Sequence, residues 1–240
     1  MAEPVLFYVE NQVAVITLNR PERHNAINQA LLVCLYERLE TVSRDASIRA
    51  AVLTGSSKSF CSGLDLDALH TDNLFDPRGD GMDLPDLFQL CDKPIIGAIN
   101  GHTITGGLEI ALNCDFLIAS DTASFADTHA RVGIHPGWGM TQLLQQAIGR
   151  RRACQMSFTC RSIDAQTAYE WGLVNEVVPA ERLLSRAMEI AADIAEAVPD
   201  MLKVIRGLIR YRDTASHVDA CAHERAGFEA FLKKHMPGLI

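Results

Sequence analysis

Short apolar segments of two kinds alternate along this chain, and their order limits the folds that can accommodate it. Pairs of β-type runs are each followed by a segment with helical apolar spacing, and this unit returns at intervals of about 40 to 50 residues. Such β-β-α units bury a shared core only when they stack on one another. The pattern therefore predicts an α/β fold built as a spiral of repeated β-β-α units. The predicted strands are 6–10, 13–18, 50–54, 95–99, 116–119, 124–125 and 174–178.

The C-terminal part of the chain contains helical patterns almost alone. Three helices are predicted to start near Ala180, Asp200 and Ser216, and the first has a continuous apolar face. Such a face needs a surface to cover, and a partner subunit is one candidate. The sequence thus predicts two parts, a β-β-α domain over residues 1–180 and a helical region over residues 181–240.

Composition limits the possible partners. The 240 residues are 48% hydrophobic and 22% charged, with a formal net charge of −8 and no long basic run, which argues against nucleic acid as a main partner. No apolar stretch approaches the ~20 residues of a membrane span, and the first residues lack the features of a signal peptide. Seven cysteines without a C-x-x-C indicate reduced thiols, so we expect a cytoplasmic protein without a metal site.

The segment 95–115 gives the strongest indication of chemistry. A β-type run leads into Gly106-Gly107, and a helical segment with one carboxylate, Glu109, follows. Glycine lets a ligand oxygen approach the backbone, and the N–H groups at a helix start favour negative charge. Glu109 lies about one helical turn after Gly106 and can face the same pocket. These residues predict an anion hole beside a general base, although a simple turn followed by a solvated glutamate fits the same pattern.

Other segments are less specific. Residues 59–66 predict a sharp bend into a helix with Asp65 in its first turn. Cys61 and Ser62 are candidate nucleophiles there, but small residues in a tight turn explain them better, because no catalytic triad order is visible. Residues 71–83, rich in Asp, Gly and Pro, predict a mobile loop, and residues 149–152 are predicted to close a helix over 140–148. Nucleotide-binding, zincin and α/β-hydrolase motifs are absent from the sequence.

Several segments together resemble the signatures of the enoyl-CoA hydratase/isomerase, or crotonase, superfamily. The two most specific are 59–66 and 100–109, and further matches lie at 19–27, 125, 136–143 and 168–179. The resemblance covers about residues 5 to 180 in register. It implies a crotonase-like spiral with a C-terminal helical domain, usually assembled as a homotrimer or a dimer of trimers. It also implies an acyl-CoA or enoyl-CoA ligand, with coenzyme A as part of the substrate and no separate cofactor.

The resemblance also implies roles for individual residues. The backbone N–H groups of Leu64 and Gly106 would form an oxyanion hole for the thioester carbonyl, and Glu109 would be the catalytic base. The C-terminal Lys233 and Lys234 are further candidates, for contact with the phosphates of coenzyme A. The residues that would line the coenzyme A thioester site are Arg23, Ala26, Ile27, Ser62, Leu64, Asp65, Leu66 and Gly106.

The sequence departs from the family at one catalytic position. Typical hydratases of the family use two glutamates; Glu109 aligns with the first, and His129 occupies the position of the second. One possibility is that Glu109 carries out hydration alone. Another is that His129, or the neighbouring Asp127, shares the acid–base chemistry. A third possibility is an isomerase that needs one base, and His129 can also be a hydrogen-bonded structural residue. The aspartate that marks dienoyl-CoA isomerases would fall at Gly137, which argues against that chemistry.

We therefore expect a lyase of fatty-acid metabolism, an enoyl-CoA hydratase that adds water across a trans-2-enoyl-CoA thioester. A double-bond isomerase on the same scaffold is the enzymatic alternative. A protein that binds acyl-CoA without turning it over is the alternative from another functional class.

Overall fold

The computed structural model describes residues 3–236 of the chain. These residues form two compact units, and the boundary between them lies after Glu196. The sequence places the corresponding boundary near residue 180. The difference arises because the helix that ends at Glu196 packs on a sheet of the first unit and belongs to its core. No helix among residues 3–236 is long and apolar enough to cross a membrane.

A six-stranded sheet forms the first layer, in the order β1-β2-β3-β5-β7-β10. Its first two strands are antiparallel, and every other neighbouring pair is parallel. Parallel strands need crossover connections, and here the intervening segments supply them. The strands are β1 Val5–Glu10, β2 Val13–Leu18, β3 Ala50–Gly55, β5 Ile95–Ile99, β7 Phe116–Ser120 and β10 Glu176–Val178.

A second sheet of four short strands has the order β4-β6-β8-β9, with only the last pair antiparallel. Its strands are β4 Ser59–Cys61, β6 His102–Ile104, β8 Ser124–Ala126 and β9 Ile163–Asp164. Each of β4, β6 and β8 follows a longer strand of the first sheet after a short turn, so the paired β-type runs separate into two layers. This recurrence gives the α/β spiral of β-β-α units that the sequence predicts.

The helices are α1 Gln29–Arg44, α2 Leu84–Leu90, α3 Gly106–Leu112, α4 His129–Val132, α5 Met140–Ile148, α6 Arg150–Thr159, α7 Ala165–Trp171, α8 Leu183–Glu196, α9 Pro199–Tyr211 and α10 His217–His235. Short 3-10 turns occupy Pro21–Arg23, Ala68–His70 and Ala180–Arg182. In α1 the buried residues Leu31, Leu35, Leu39 and Val42 recur at steps of three or four, the spacing of one helical face. Asn28 caps this helix by accepting the Leu31 N–H, and the apolar face that follows is buried.

Different helices pack on the two faces of the six-stranded sheet. Val52 and Ile96 point toward α8, whose Leu183, Ala187 and Ala191 complete a small apolar cluster with them. Neighbouring positions such as Leu53 face the main core, which includes the buried side of α1 and the α3 helix. Side chains alternate between the two faces of a strand. A strand that is buried on both faces therefore has a continuous apolar sequence.

The structure corrects two local predictions. Residues 62–67 do not start a helix: 59–61 form β4, and the first helical turn after it is the 3-10 turn Ala68–His70. Gly149 does end α5, but α6 begins immediately at Arg150 and was not predicted. Only Ala153 and Met156 of α6 are buried, so the sequence of this helix is mostly polar and shows little helical apolar spacing from which it could be predicted. Residues 71–83 contain neither helix nor strand, in agreement with the predicted loop.

The second unit consists of α9 and α10, which contact each other. Val198 precedes α9 and Pro199 is its first residue, a position where the missing N–H of proline costs nothing. Ser216 caps α10 by accepting the Asp219 N–H. The residues 237–240 lie outside the described part of the chain.

Candidate active site

The start of α3 and the turn after β4 bring two backbone amides together. Leu64 forms a parallel bridge with Ile27, in which Ile27 N–H binds the Gly63 carbonyl and Asp65 N–H binds the Ile27 carbonyl, each at 2.8 Å. This pairing turns the Leu64 N–H away from Ile27. A Cβ on Gly106 would lie 3.6 Å from the Leu64 nitrogen, and a Cβ on Gly63 would lie 3.4 Å from the Gly106 nitrogen. The amides of Leu64 and Gly106 are therefore close neighbours.

Glycine is required where these segments cross. A Cβ on Gly107 would lie only 2.1 Å from the carbonyl oxygen of Cys61, which is rigid backbone. Gly106 is less constrained, because its Cβ would meet the flexible end of Ile27 at 3.2 Å. The close packing of Gly107 on β4 thus fixes the distance between α3 and the Leu64 turn.

Thr105 connects the same helix start to the segment after β8. It adopts a φ of 51°, an unusual value for a β-branched residue. Its N–H binds the Ala126 carbonyl, and its hydroxyl accepts the Thr128 N–H at 3.0 Å and contacts the Thr128 hydroxyl. These contacts outweigh a conformation that costs about 1–3 kcal/mol and orient the first turn of α3.

Glu109 is a buried carboxylate whose two oxygens have different partners. It lies in the first turn of α3 and is only 2% exposed. Oε1 accepts the backbone N–H groups of Trp138 at 2.9 Å and Met140 at 3.2 Å, while Oε2 lies 3.7 Å from Nε2 of His129. Burial raises the pKa of Glu109 above its usual range, although the Trp138 N–H and His129 oppose the shift. Oε2 is thus the oxygen available for proton transfer.

Asp127 and His129 form a second buried acid–base pair. Asp127 Oδ1 lies 2.7 Å from Nδ1 of His129 and also accepts the His129 backbone N–H at 3.1 Å. Burial opposes ionisation of Asp127, but hydrogen bonds from His129 and from the Ser157 side chain hold its pKa below the usual range. Both side chains are almost completely buried. Glu109, His129 and Asp127 therefore form one continuous line of titratable groups.

The residues predicted to line the coenzyme A site lie on two adjacent segments, 23–27 and 62–66. Ile27 pairs with Leu64, and the Ser62 hydroxyl donates to the Arg23 carbonyl at 3.4 Å. Ala26 and Ile27 are buried, whereas Leu66 is 56% exposed. Asp65 lies in no helix; its carboxylate binds Arg20 at 2.9 Å in a pair that is largely buried. These contacts bring the segments together, while their role in ligand binding stays a prediction.

Two other histidines of the first unit, His24 and His102, contact serine side chains. In the described structure His24 Nδ1 contacts the Ser59 hydroxyl at 3.2 Å, and His102 Nδ1 contacts the Ser124 hydroxyl at 2.8 Å. The amides of Trp138 and Met140, the Ser157 hydroxyl and the Arg20 guanidinium were not predicted as parts of the site. Any residue type can supply a backbone donor, so the sequence does not indicate the amides of Trp138 and Met140.

Comparisons with known proteins agree with the geometry. A family model described as enoyl-CoA hydratase/isomerase matches residues 8–237. A probable peroxisomal enoyl-CoA hydratase 1 of Arabidopsis thaliana is 41% identical over 197 residues, which cover 82% of this chain and 74% of the relative. A 1,2-epoxyphenylacetyl-CoA isomerase of Escherichia coli is 34% identical, with 99% of this chain and 98% of the relative covered.

A solved structure extends the agreement to the fold. An enoyl-CoA hydratase subunit of Geobacillus kaustophilus superposes with a TM-score of 0.88 at 29% identity, covering 97% of this chain and 91% of that one. The superfamily and the crotonase-like α/β fold expected from the sequence are both confirmed. With the family model matched along nearly the whole chain and relatives of this identity covered almost end to end, the protein belongs to the enoyl-CoA hydratase/isomerase family.

Proposed function

We propose that this protein is an enoyl-CoA hydratase, which adds water across the C2–C3 double bond of a trans-2-enoyl-CoA thioester. The observation that carries the proposal is the position of Glu109, a buried carboxylate in the same helical turn that presents the Gly106 amide next to the Leu64 amide. Relatives named as hydratases at 31–41% identity support the same reaction class.

The paired amides account for the activation of the thioester. When water attacks C3, the C2 carbon and the carbonyl oxygen acquire the negative charge of an enolate. Two N–H donors aimed at that oxygen stabilise this charge, and one such donor typically contributes about 3–4 kcal/mol. Because both donors are main-chain groups, the Leu64 side chain takes no part in this step.

Glu109 accounts for the activation of water. Its Oε1 is held by two backbone donors, so Oε2 is the oxygen that can take a proton from water as the C3–O bond forms. A proton delivered to C2 then converts the enolate into the 3-hydroxyacyl-CoA product. A carboxylate with a raised pKa is a stronger base than an exposed one and is suited to this role.

The coenzyme A part of the substrate has a separate binding site. Segments 23–27 and 62–66 bind the coenzyme A part of the substrate, with Arg23, Ser62 and Leu66 at the edge that solvent reaches. Coenzyme A belongs to the substrate, and no further cofactor takes part. The protein works in the cytoplasm as a homotrimer or a dimer of trimers, and nucleic acid is not a partner.

The decisive experiment is Glu109→Gln, assayed with crotonyl-CoA and longer trans-2-enoyl-CoA substrates. Glutamine keeps the hydrogen bonds from Trp138 and Met140 but cannot accept the water proton, so we expect kcat to fall by at least about 10²-fold. Glu189→Gln, at an exposed position that pairs with Arg182 and Arg186, is the matched control and should retain full activity. Undiminished turnover by the Glu109 variant would remove this residue from the mechanism.

A double-bond isomerase is the second candidate, because one base suffices for isomerisation and an isomerase is among the relatives. Turnover in heavy-oxygen water separates the two reactions, since only hydration incorporates solvent oxygen into the product. Micromolar acyl-CoA binding without turnover over a panel of chain lengths would instead favour a binding protein.

A further inference from the structure

The described residues contain one buried acid–base pair, Asp127 and His129, that the proposed chemistry of Glu109 leaves without a task. We propose that Asp127 is a positioning residue that holds His129 with Nε2 directed at Glu109, so that His129 and Glu109 exchange one proton during each turnover. This inference rests on the proposed hydratase function and extends it to a residue that does not touch the substrate.

The contacts of Asp127 fix the orientation of the imidazole ring. Its Oδ1 accepts both the backbone N–H of His129 and, at 2.7 Å, the ring Nδ1. Because Asp127 is ionised and offers no proton, Nδ1 must be the donor of this bond. The opposite nitrogen, Nε2, is left free of Asp127, and it is the nitrogen that lies 3.7 Å from Glu109 Oε2.

The distance between Nε2 and Oε2 suits a shared reactant better than a direct hydrogen bond. A separation of 3.7 Å exceeds a normal hydrogen bond, but both atoms can reach one water or one substrate carbon between them. Two carboxylates face the ring, Glu109 from α3 and Asp127 from the segment after β8. On its own helix Arg131 points elsewhere, donating to the Cys160 carbonyl at 3.0 Å, and Ser157 approaches Asp127 from α6.

This arrangement gives a balanced proton cycle. The Glu109 carboxylate takes a proton from water while the water oxygen bonds to C3, and the electron pair of the double bond moves to the enolate. The imidazolium Nε2–H then gives its proton to C2, which completes the addition of one water molecule. The proton on Glu109 then returns to the neutral Nε2 through a water molecule between the two groups, which restores the starting state.

The first test is Asp127→Asn. An asparagine can present its amide N–H₂ to Nδ1 and thereby favour the wrong tautomer, so we expect kcat to fall at least about tenfold while KM changes less than about threefold. The matched control is Asp164→Asn, because Asp164 caps α7 by accepting the Thr167 N–H and asparagine caps equally well. An Asp127→Asn enzyme with full kcat would overturn the inference.

A double-mutant cycle shows whether Asp127 acts through His129. His129→Gln removes the imidazole ring, so adding Asp127→Asn to it should cost no further activity if the two residues form one unit. Additive losses would contradict a positioning role, even if each variant alone is impaired. Circular dichroism and melting temperatures identify any variant that fails to fold.

A measurement that does not depend on turnover separates this inference from the proposed function. Nitrogen-15 NMR of the His129 ring should show protonated Nδ1 in the wild type and a changed tautomer in Asp127→Asn. If the wild type does not hydrate any enoyl-CoA, the proposed function fails, while the NMR result still decides whether Asp127 sets the tautomer. A ring with protonated Nε2 and bare Nδ1 in the wild type would refute the positioning role.

Discussion

Single residues at this site are constrained by two different physical requirements, space and charge. Gly107 satisfies the first, because a side chain there would meet the Cys61 carbonyl at 2.1 Å. Glu109 illustrates the second, since a nearly buried carboxylate is retained although burial disfavours its charged form. The sequence pointed to both positions, and it interpreted the Gly-Gly pair either as a turn or as a place where a ligand oxygen approaches the backbone. The structure adds that Gly107 serves chain packing.

The raised pKa of Glu109 implies that this carboxylate lowers stability at neutral pH. Its folded-state pKa lies above the unfolded value, so the destabilising contribution is complete above the folded pKa and disappears as the pH falls below the unfolded one, about 4.3. We expect Glu109→Gln to melt at a higher temperature than the wild type at pH 7, by about 2–4 °C per kcal/mol relieved. Calorimetry from pH 8 to pH 4 should show this gain shrinking; an equal gain throughout would contradict the assignment to charge burial.

At the scale of elements, sequence patterns identified most of the long strands and helices, apart from α6, and missed several of the short strands. The apolar runs of β2 and β5 and the bounds of α5 were predicted nearly to the residue. By contrast β4, β6 and β9 have two or three residues each, too few to show a period, and were not predicted as strands. They exist because their backbone groups pair with neighbours far away in sequence. The turn that contains Leu64 directly follows β4 and so depends on this second, poorly predictable sheet.

The ion pair between Arg20 and Asp65 is expected to secure that turn. Asp65 follows Leu64 directly, and its carboxylate is 10% exposed, so removing its charge leaves the Arg20 guanidinium poorly compensated. We expect Asp65→Asn to lower stability by about 1–3 kcal/mol and to reduce kcat, because the Leu64 amide loses its fixed position. The measurement is chemical denaturation combined with steady-state kinetics.

The neighbouring exposed ion pair provides the control. Asp67 pairs with Arg23 at 3.1 Å, but its side chain is 78% exposed. Exposed pairs contribute little, so Asp67→Asn should leave stability unchanged within error. Equal losses in the two variants would show that burial of the Asp65 pair is not what holds the turn.

Helix α9 of the second unit exposes several apolar side chains. On α9 the side chains of Val204, Ile205 and Ile209 are each about half exposed or more. A second copy of the chain would cover such a face, as the expected trimer requires. The resemblance to the family supports this expectation.

Sedimentation velocity provides the test of assembly. We expect the wild type to sediment as a trimer or hexamer, and Ile209→Asp to shift the population toward monomers, because a charge buried at an apolar interface is costly. Thr214→Asp, at an exposed polar position beyond α9, is the control and should assemble normally. A wild type that is monomeric at micromolar concentration would contradict the expected trimer.

The amino-acid sequence alone was sufficient for the α/β class, most of the long elements and the family, because apolar periodicity and signature segments are local properties. The tertiary structure decided which atoms meet. Asp127 and His129 lie about 20 residues from Glu109 in the sequence. Trp138 and Met140 supply backbone donors, which cannot be recognised from the type of residue. Such distances depend on how two sheets and several helices pack together, and a one-dimensional pattern does not contain them.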